Sequence, residues 1–105
     1  MDKRQIQKTL RIFVRRVKDT FPSKKIILFG SYAKGVATEY SDIDILVISK
    51  AFLKMEEKER FDKLYRLSKD LYPDINAFGF TPEEVKTVSP LTSLYEALKY
   101  GKVIS

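Results

Sequence analysis

The order of hydrophobic patterns predicts a small α/β (α+β) fold, a short mixed sheet with helices packed on it. Three observations carry this. An apolar stripe of helical period opens the chain, three short apolar runs bounded by turn signals read as strands, and further helical stripes lie between and after them. Residues 1–105 suffice for a single domain with one core, and no repeat, low-complexity tract or linker divides them.

Taken in order, residues 4–19 place Ile6, Leu10, Phe13, Val14 and Val17 on one face of a helix. Arg4, Lys8, Arg11, Arg15 and Lys18 occupy the other face, and Phe21-Pro22-Ser23 stops the helix. Lys25–Phe29 is a buried strand ending at Gly30-Ser31, and Ile43–Ile48 is a second, rich in β-branched residues. Residues 54–71 read as a helix with Phe61, Leu64, Leu67, Ser68 and Leu71 along one side. After Pro73, Asp74–Phe80 reads as a third strand opened by Asp74. Thr81-Pro82-Glu83-Glu84 is a capping box that starts a short helix. A last helix is expected from a Ser89 cap and Pro90 to Gly101, with Leu91, Leu94, Tyr95 and Leu98 facing the core. Phe13, Phe29, Phe61, Phe78 and Phe80 are expected mostly in the core, whereas Tyr32 and Tyr40 lie near the glycine turn.

Composition narrows the chemistry. There is no Cys and no His, which excludes thiol nucleophiles, disulfides, His-based triads and Cys/His zinc sites. Any bound metal must be held by oxygen, and magnesium is the natural candidate. The net charge of +6 is concentrated in residues 1–25, with nine Lys/Arg against two Asp. That basic face reads first as a solvated helix surface, with nucleic acid or an acidic partner as the other readings. No apolar run approaches the ~20 residues that span a bilayer. A cytoplasmic location without membrane association is therefore expected.

The chemistry concentrates in Gly30-Ser31-Tyr32-Ala33-Lys34-Gly35 and Ser41-Asp42-Ile43-Asp44. Residues i and i+2 of a strand project to one side, so Asp42 and Asp44 stand together while Ile43 and Ile45 face the core. Two close anions repel, and a divalent cation between them resolves the conflict. By itself the pair also reads as two acids at a solvent-exposed strand start. Asp74 can supply a third carboxylate if its strand is a neighbour. Gly30 ends a strand and admits close approach, the Ser31 hydroxyl can donate to a phosphate oxygen, and Lys34 can neutralise another. The loop matches neither a dinucleotide fingerprint nor a Walker-type loop.

Gly30-Ser31, Gly35 and Ser41-Asp42-Ile43-Asp44, with a later strand opened by Asp, resemble the nucleotidyltransferase superfamily of DNA polymerase beta. Within it the length resembles the minimal nucleotidyltransferases, partners of HEPN-domain proteins in prokaryotic toxin–antitoxin pairs. The resemblance implies a nucleotide site at Gly30, Ser31, Lys34 and Ser41. It also implies two magnesium ions at Asp42, Asp44 and Asp74, with Asp74 helping to deprotonate the acceptor. Tyr32 stands where many small relatives carry a basic residue, so that phosphate contact is lost or taken by Lys34.

The activity implied is transfer of AMP from ATP, or NMP from another NTP, to a hydroxyl. The foremost acceptor is a tyrosine of a HEPN toxin encoded nearby, which makes this chain the antitoxin of a type VII pair. With only short helices after the sheet, the acceptor is expected from another molecule or by self-association as a homo-oligomer. Neutralisation by binding and occlusion without catalysis is the alternative, as is transfer to a small molecule or nucleic acid.

Overall fold

The computed structural model describes residues 3–105. Helix α1 (Lys3–Thr20) leads into strand β1 (Ser23–Phe29), which passes directly into a short helix α2 (Gly30–Lys34). Strand β2 (Ile43–Ser49) and a 3-10 turn at Lys50–Phe52 precede helix α3 (Glu57–Arg66). Strand β3 (Ile75–Phe80), helices α4 (Pro82–Lys86) and α5 (Ser93–Tyr100) and strand β4 (Lys102–Val103) complete the fold. The sheet order is β3-β2-β1-β4. It is mixed, because β1 pairs antiparallel with β2 and β4, whereas β2 pairs parallel with β3. The parallel pair requires a crossover, which the 3-10 turn and α3 provide.

Each strand alternates its side chains between two layers. Ile26, Leu28, Ile43, Ile45, Val47, Ile75 and Ala77 meet Phe13 and Val17 of α1, Phe52 and Leu64. Ile27, Leu46 and Ile48 meet Ala97 on the other face, with Phe29, Phe80, Val85, Leu94 and Leu98 around them. The α1 stripe is therefore core, and Arg4, Lys8, Arg11, Arg15 and Lys18 are exposed as their period requires. Among the described residues no helix is long and apolar enough to cross a membrane.

Three polar anchors position the elements. The buried Thr9 hydroxyl donates to the Tyr72 carbonyl at 2.6 Å, tying α1 to the turn before β3. Arg16 forks onto both Asp70 oxygens at 2.7 and 3.1 Å and also donates to the Leu67 carbonyl. Buried Arg60 donates to the Met55 and Gly79 carbonyls and to Glu84 at 2.6 Å, joining α3, β3 and α4. The expected capping box is present, with the Glu84 N–H donating to Thr81 and the Thr81 N–H to the Glu84 carboxylate. Burial pushes the Glu84 carboxyl up, but the Thr81 N–H and Arg60 outweigh it and hold it below the ordinary range.

Several expectations are corrected. The helix expected over 54–71 is regular only over Glu57–Arg66, and Phe61 on its stripe is 39% exposed. Phe78, also expected in the core, is equally exposed, because β3 is an edge strand and only its alternate residues meet α1 and α3. The last helix begins at Ser93 under a Thr92 cap, while Ser89 closes a turn by accepting from the Thr92 N–H and hydroxyl. Leu91 lies in that turn and is 96% exposed. Strand β4 has no counterpart in the sequence pattern, because two residues are too few for a periodic signal.

Gly79 shows how tightly the crossover packs on β3. A β-carbon there would lie 2.8 Å from the ring of the fully buried Phe52. Gly79→Ala is expected to cost about 1–3 kcal/mol through overpacking, read as a lowered urea midpoint with an unchanged m-value.

Candidate active site

The site forms where β1 ends beside the start of β2. Strand β1 is paired to β2 up to Phe29 and Asp44, so the turn that follows β1 lies against Asp44. Gly30 sits there with φ +72°, a left-handed conformation that glycine adopts without strain. A β-carbon on Gly30 would fall inside the Asp44 carboxylate. The sequence therefore needs glycine twice over, for the backbone angle and for the approach. Helix α2 begins at this residue and ends at Gly35, whose N–H donates to the Ser31 carbonyl.

The carboxylates come together as the strand period requires. Asp42 is exposed and Asp44 half-buried. Asn76 donates to an oxygen of Asp42 at 3.2 Å and to an oxygen of Asp44 at 3.4 Å, so the two acids converge on one amide. Burial pushes the Asp44 carboxyl above its ordinary range; the Asn76 hydrogen bond opposes this, and the nearby Asp42 charge adds to it.

The strand that follows Asp74 neighbours β2, the condition on which a third carboxylate is expected from it. Asp74 itself precedes β3 by one residue and is exposed, and its carbonyl accepts from the Ile43 N–H at 2.8 Å. The β2–β3 register sets Ile43 beside Ile75 and Asp44 beside Asn76. The side chain opposite the inner carboxylate is thus a neutral amide. Among the described residues no three Asp, Glu, His or Cys side chains form a metal-holding group. Sequence reasoning misses Asn76, a neutral residue whose place beside Asp44 is set by the ladder. Its signal was parity: Asn76 and Phe78 alternate with buried Ile75, Ala77 and Gly79.

The remaining expected residues are distributed around this point. Ser31 lies in the first turn of α2, and Lys34 at its end is exposed. Lys34 borders a cavity of about 170 Å³ with Gly30, Glu96 and Tyr100. Ser41 is engaged locally, its hydroxyl accepting from the Thr38 N–H at 2.9 Å, so it shapes the loop that delivers Asp42. Tyr32 donates to the Ser41 carbonyl at 3.5 Å, linking α2 to that loop, whereas Tyr40 is fully outward. A second cavity, about 380 Å³, runs from Asp44 across Phe29, Leu46, Phe78 and Phe80 to Leu94 and Ala97. It presents a carboxylate at one end and aromatic rings along its wall. The basic face of α1 belongs to the opposite layer of the sheet.

The donor set suits a hard cation. Two carboxylates converge, both able to ligate through oxygen, and the missing β-carbon of Gly30 lets Asp44 lie against the turn. The chain matches the nucleotidyltransferase domain over residues 10–100, and it belongs to that family. Two proteins of Methanocaldococcus jannaschii, provisionally named protein adenylyltransferases, are similar to it. One is 48% identical over 52 residues, covering 48% of this chain and 35% of that protein. The other is 52% identical over 44 residues, covering 40% of this chain and 44% of that protein. The chain thus spans less than half the length of these relatives. Two crystal structures share the fold at 23% identity. A provisionally assigned nucleotidyltransferase of Sulfolobus solfataricus has a TM-score of 0.63 and covers 98% of this chain and 87% of that one. A toxin–antitoxin protein solved with AMP-PNP has a TM-score of 0.66 and covers 90% and 71%.

Two outcomes are expected from this geometry. Gly30→Ala forces a left-handed alanine, costing about 1–2 kcal/mol, and displaces Asp44; a lowered thermal midpoint measures it. The Asp44 carboxyl titrates higher in the fold than in the unfolded chain, so its ionisation opposes folding. Its contribution to stability is greatest below its unfolded value and is lost as pH rises through the folded one. Asp44→Asn is therefore expected to raise the melting temperature of the metal-free protein at pH 7, at roughly 4–8 °C per kcal/mol, and to leave it unchanged at pH 3.

Proposed function

We propose that the chain transfers AMP from ATP to a hydroxyl group, with a tyrosine of a partner HEPN-domain protein as the acceptor. The observation that carries this is the contact between the Gly30 turn and Asp44, in a chain of the nucleotidyltransferase family. It sets the backbone of the Gly30-Ser31 turn directly beside a convergent carboxylate pair. The names of the Methanocaldococcus relatives support a protein acceptor. The neighbour solved with AMP-PNP supports ATP as donor and a toxin–antitoxin context.

In this reading Gly30 and Ser31 receive the phosphates through backbone N–H groups and the serine hydroxyl, and Lys34 offsets their charge. Asp42 and Asp44 would hold magnesium, and Asp74, exposed one residue ahead of β3, would accept the proton. Bound magnesium would offset the charge on the phosphates and on the departing group. Ser41 and Tyr32 fix the loop that carries Asp42. The cavity lined by Phe29, Phe78 and Phe80 offers a seat for a planar ring beside Asp44.

The acceptor oxygen forms a bond to the α-phosphorus as the bond from that phosphorus to the bridging oxygen breaks. Pyrophosphate leaves with the electron pair, and the hydroxyl proton passes to Asp74 or to water. The enzyme's contribution is positioning and charge stabilisation. A chain acting in this way is an antitoxin that modifies its toxin and resides in the cytoplasm.

Incubation with α-labelled ATP, magnesium and the neighbouring gene's product is expected to label that product on tyrosine and add one adenylate to its mass. Asp42→Asn is expected to reduce labelling at least ~100-fold, and chelation of divalent ions to abolish it. Undiminished labelling by Asp42→Asn would overturn the site assignment.

A further inference from the structure

Resting on the reading of Asp42 and Asp44 as cation ligands, we propose that Asn76 is the positioning residue of that pair and its neutral third oxygen ligand. The two protons of its amide nitrogen reach one oxygen of each carboxylate, at 3.2 and 3.4 Å. This accounts for how two acids remain convergent without a cation between them. The parallel register fixes the arrangement, since Asn76 pairs with Asp44 and both lie in strands held by neighbouring buried residues. The terminal torsion of asparagine is soft and roughly two-fold. A half-turn exchanges nitrogen for oxygen and aims a carboxamide oxygen, a hard ligand, at the point between the acids.

Charge gives the inference its consequence. The three converging side chains carry two negative charges rather than three. The free cation is held weakly, and it enters with the nucleotide, whose phosphates supply the missing negative charge. The site is thus loaded by the ATP–metal complex rather than by a resident ion. Asp74, one residue ahead of β3, lacks the contact with both acids that Asn76 makes and contributes less to binding of the free ion.

Titration of the full chain with Mn2+, followed by electron paramagnetic resonance with and without α,β-methylene-ATP, tests this. Wild type is expected to bind free Mn2+ weakly and at least ~10-fold more tightly with the analogue. Asn76→Ala should weaken binding about 10–100-fold, the range for residues that orient metal ligands. Asn76→Asp should bind free Mn2+ at least ~10-fold more tightly than wild type, a gain that a purely structural role does not produce. Asp74→Asn should change affinity less than about 3-fold. Far-UV circular dichroism and melting temperature verify the fold of each variant, and the gain in Asn76→Asp is informative even if Asn76→Ala unfolds. Equal affinity in wild type and Asn76→Asp, or a loss in Asp74→Asn as large as in Asn76→Ala, overturns the proposal while leaving the carboxylate pair as ligands. Absence of Mn2+ binding by wild type even with the analogue overturns the reading of the pair as well.

Discussion

Asp44 lies against the backbone of Gly30, at a distance that no side chain on residue 30 would permit. Much of the site follows from that contact. The antiparallel pairing of β1 with β2 brings the end of one strand to the start of the other. Glycine then allows the chain to turn at φ +72° into α2 without colliding with the acid. The result is a turn whose backbone lies directly against a carboxylate at the end of the sheet. A bulkier residue at 30 would separate the two halves of the site even if every other residue stayed in place.

The second constraint is the parallel register of β2 and β3. It sets Asn76 opposite Asp44 and lets one amide hold both acids. Stability and chemistry oppose each other at this point. Burial drives the Asp44 carboxyl upward and the adjacent Asp42 adds to it, so an ionised Asp44 is a local cost. The surrounding layers offset that cost. Ile43 and Ile45 flank the acid and are fully buried among residues of α1 and α3. The anchors at Thr9, Arg16 and Arg60 fix the ends of the crossover. Such a site is carried by a scaffold that does not share its strain.

Periodicity made the helix at the start, the three main strands and the two-layer arrangement legible, because those patterns report which face each residue buries. Local motifs were equally legible where the chemistry is local. The Thr81 capping box and the pairing of Asp42 with Asp44 depend on residues two or three apart. Register is different, since it is set by pairing between distant segments. Asp74 is expected as a third carboxylate because it opens the third strand, whereas the pairing of Asn76 with Asp44 follows from the ladder alone. Ser89-Pro90 has the local signature of a helix start, but Thr92 three residues later has an equally good capping hydroxyl and takes that role. Phe61 and Phe78 read as core because of their type. Their exposure follows from β3 being the sheet edge, which no local pattern records. The two rings instead lie 6.0 Å apart, and Phe78 lines the cavity that reaches Asp44.

The central claim is that the Gly30 turn and the Asp42–Asp44 pair form one cation–nucleotide site. Paramagnetic broadening of backbone amides by Mn2+ with α,β-methylene-ATP tests it most directly. The account predicts that broadening begins at Gly30–Tyr32, Asp42–Asp44 and Asn76 together, at one concentration of the complex. Broadening confined to the acidic start of α3, at Glu56, Glu57 and Glu59, with the Gly30 turn unaffected, would contradict it.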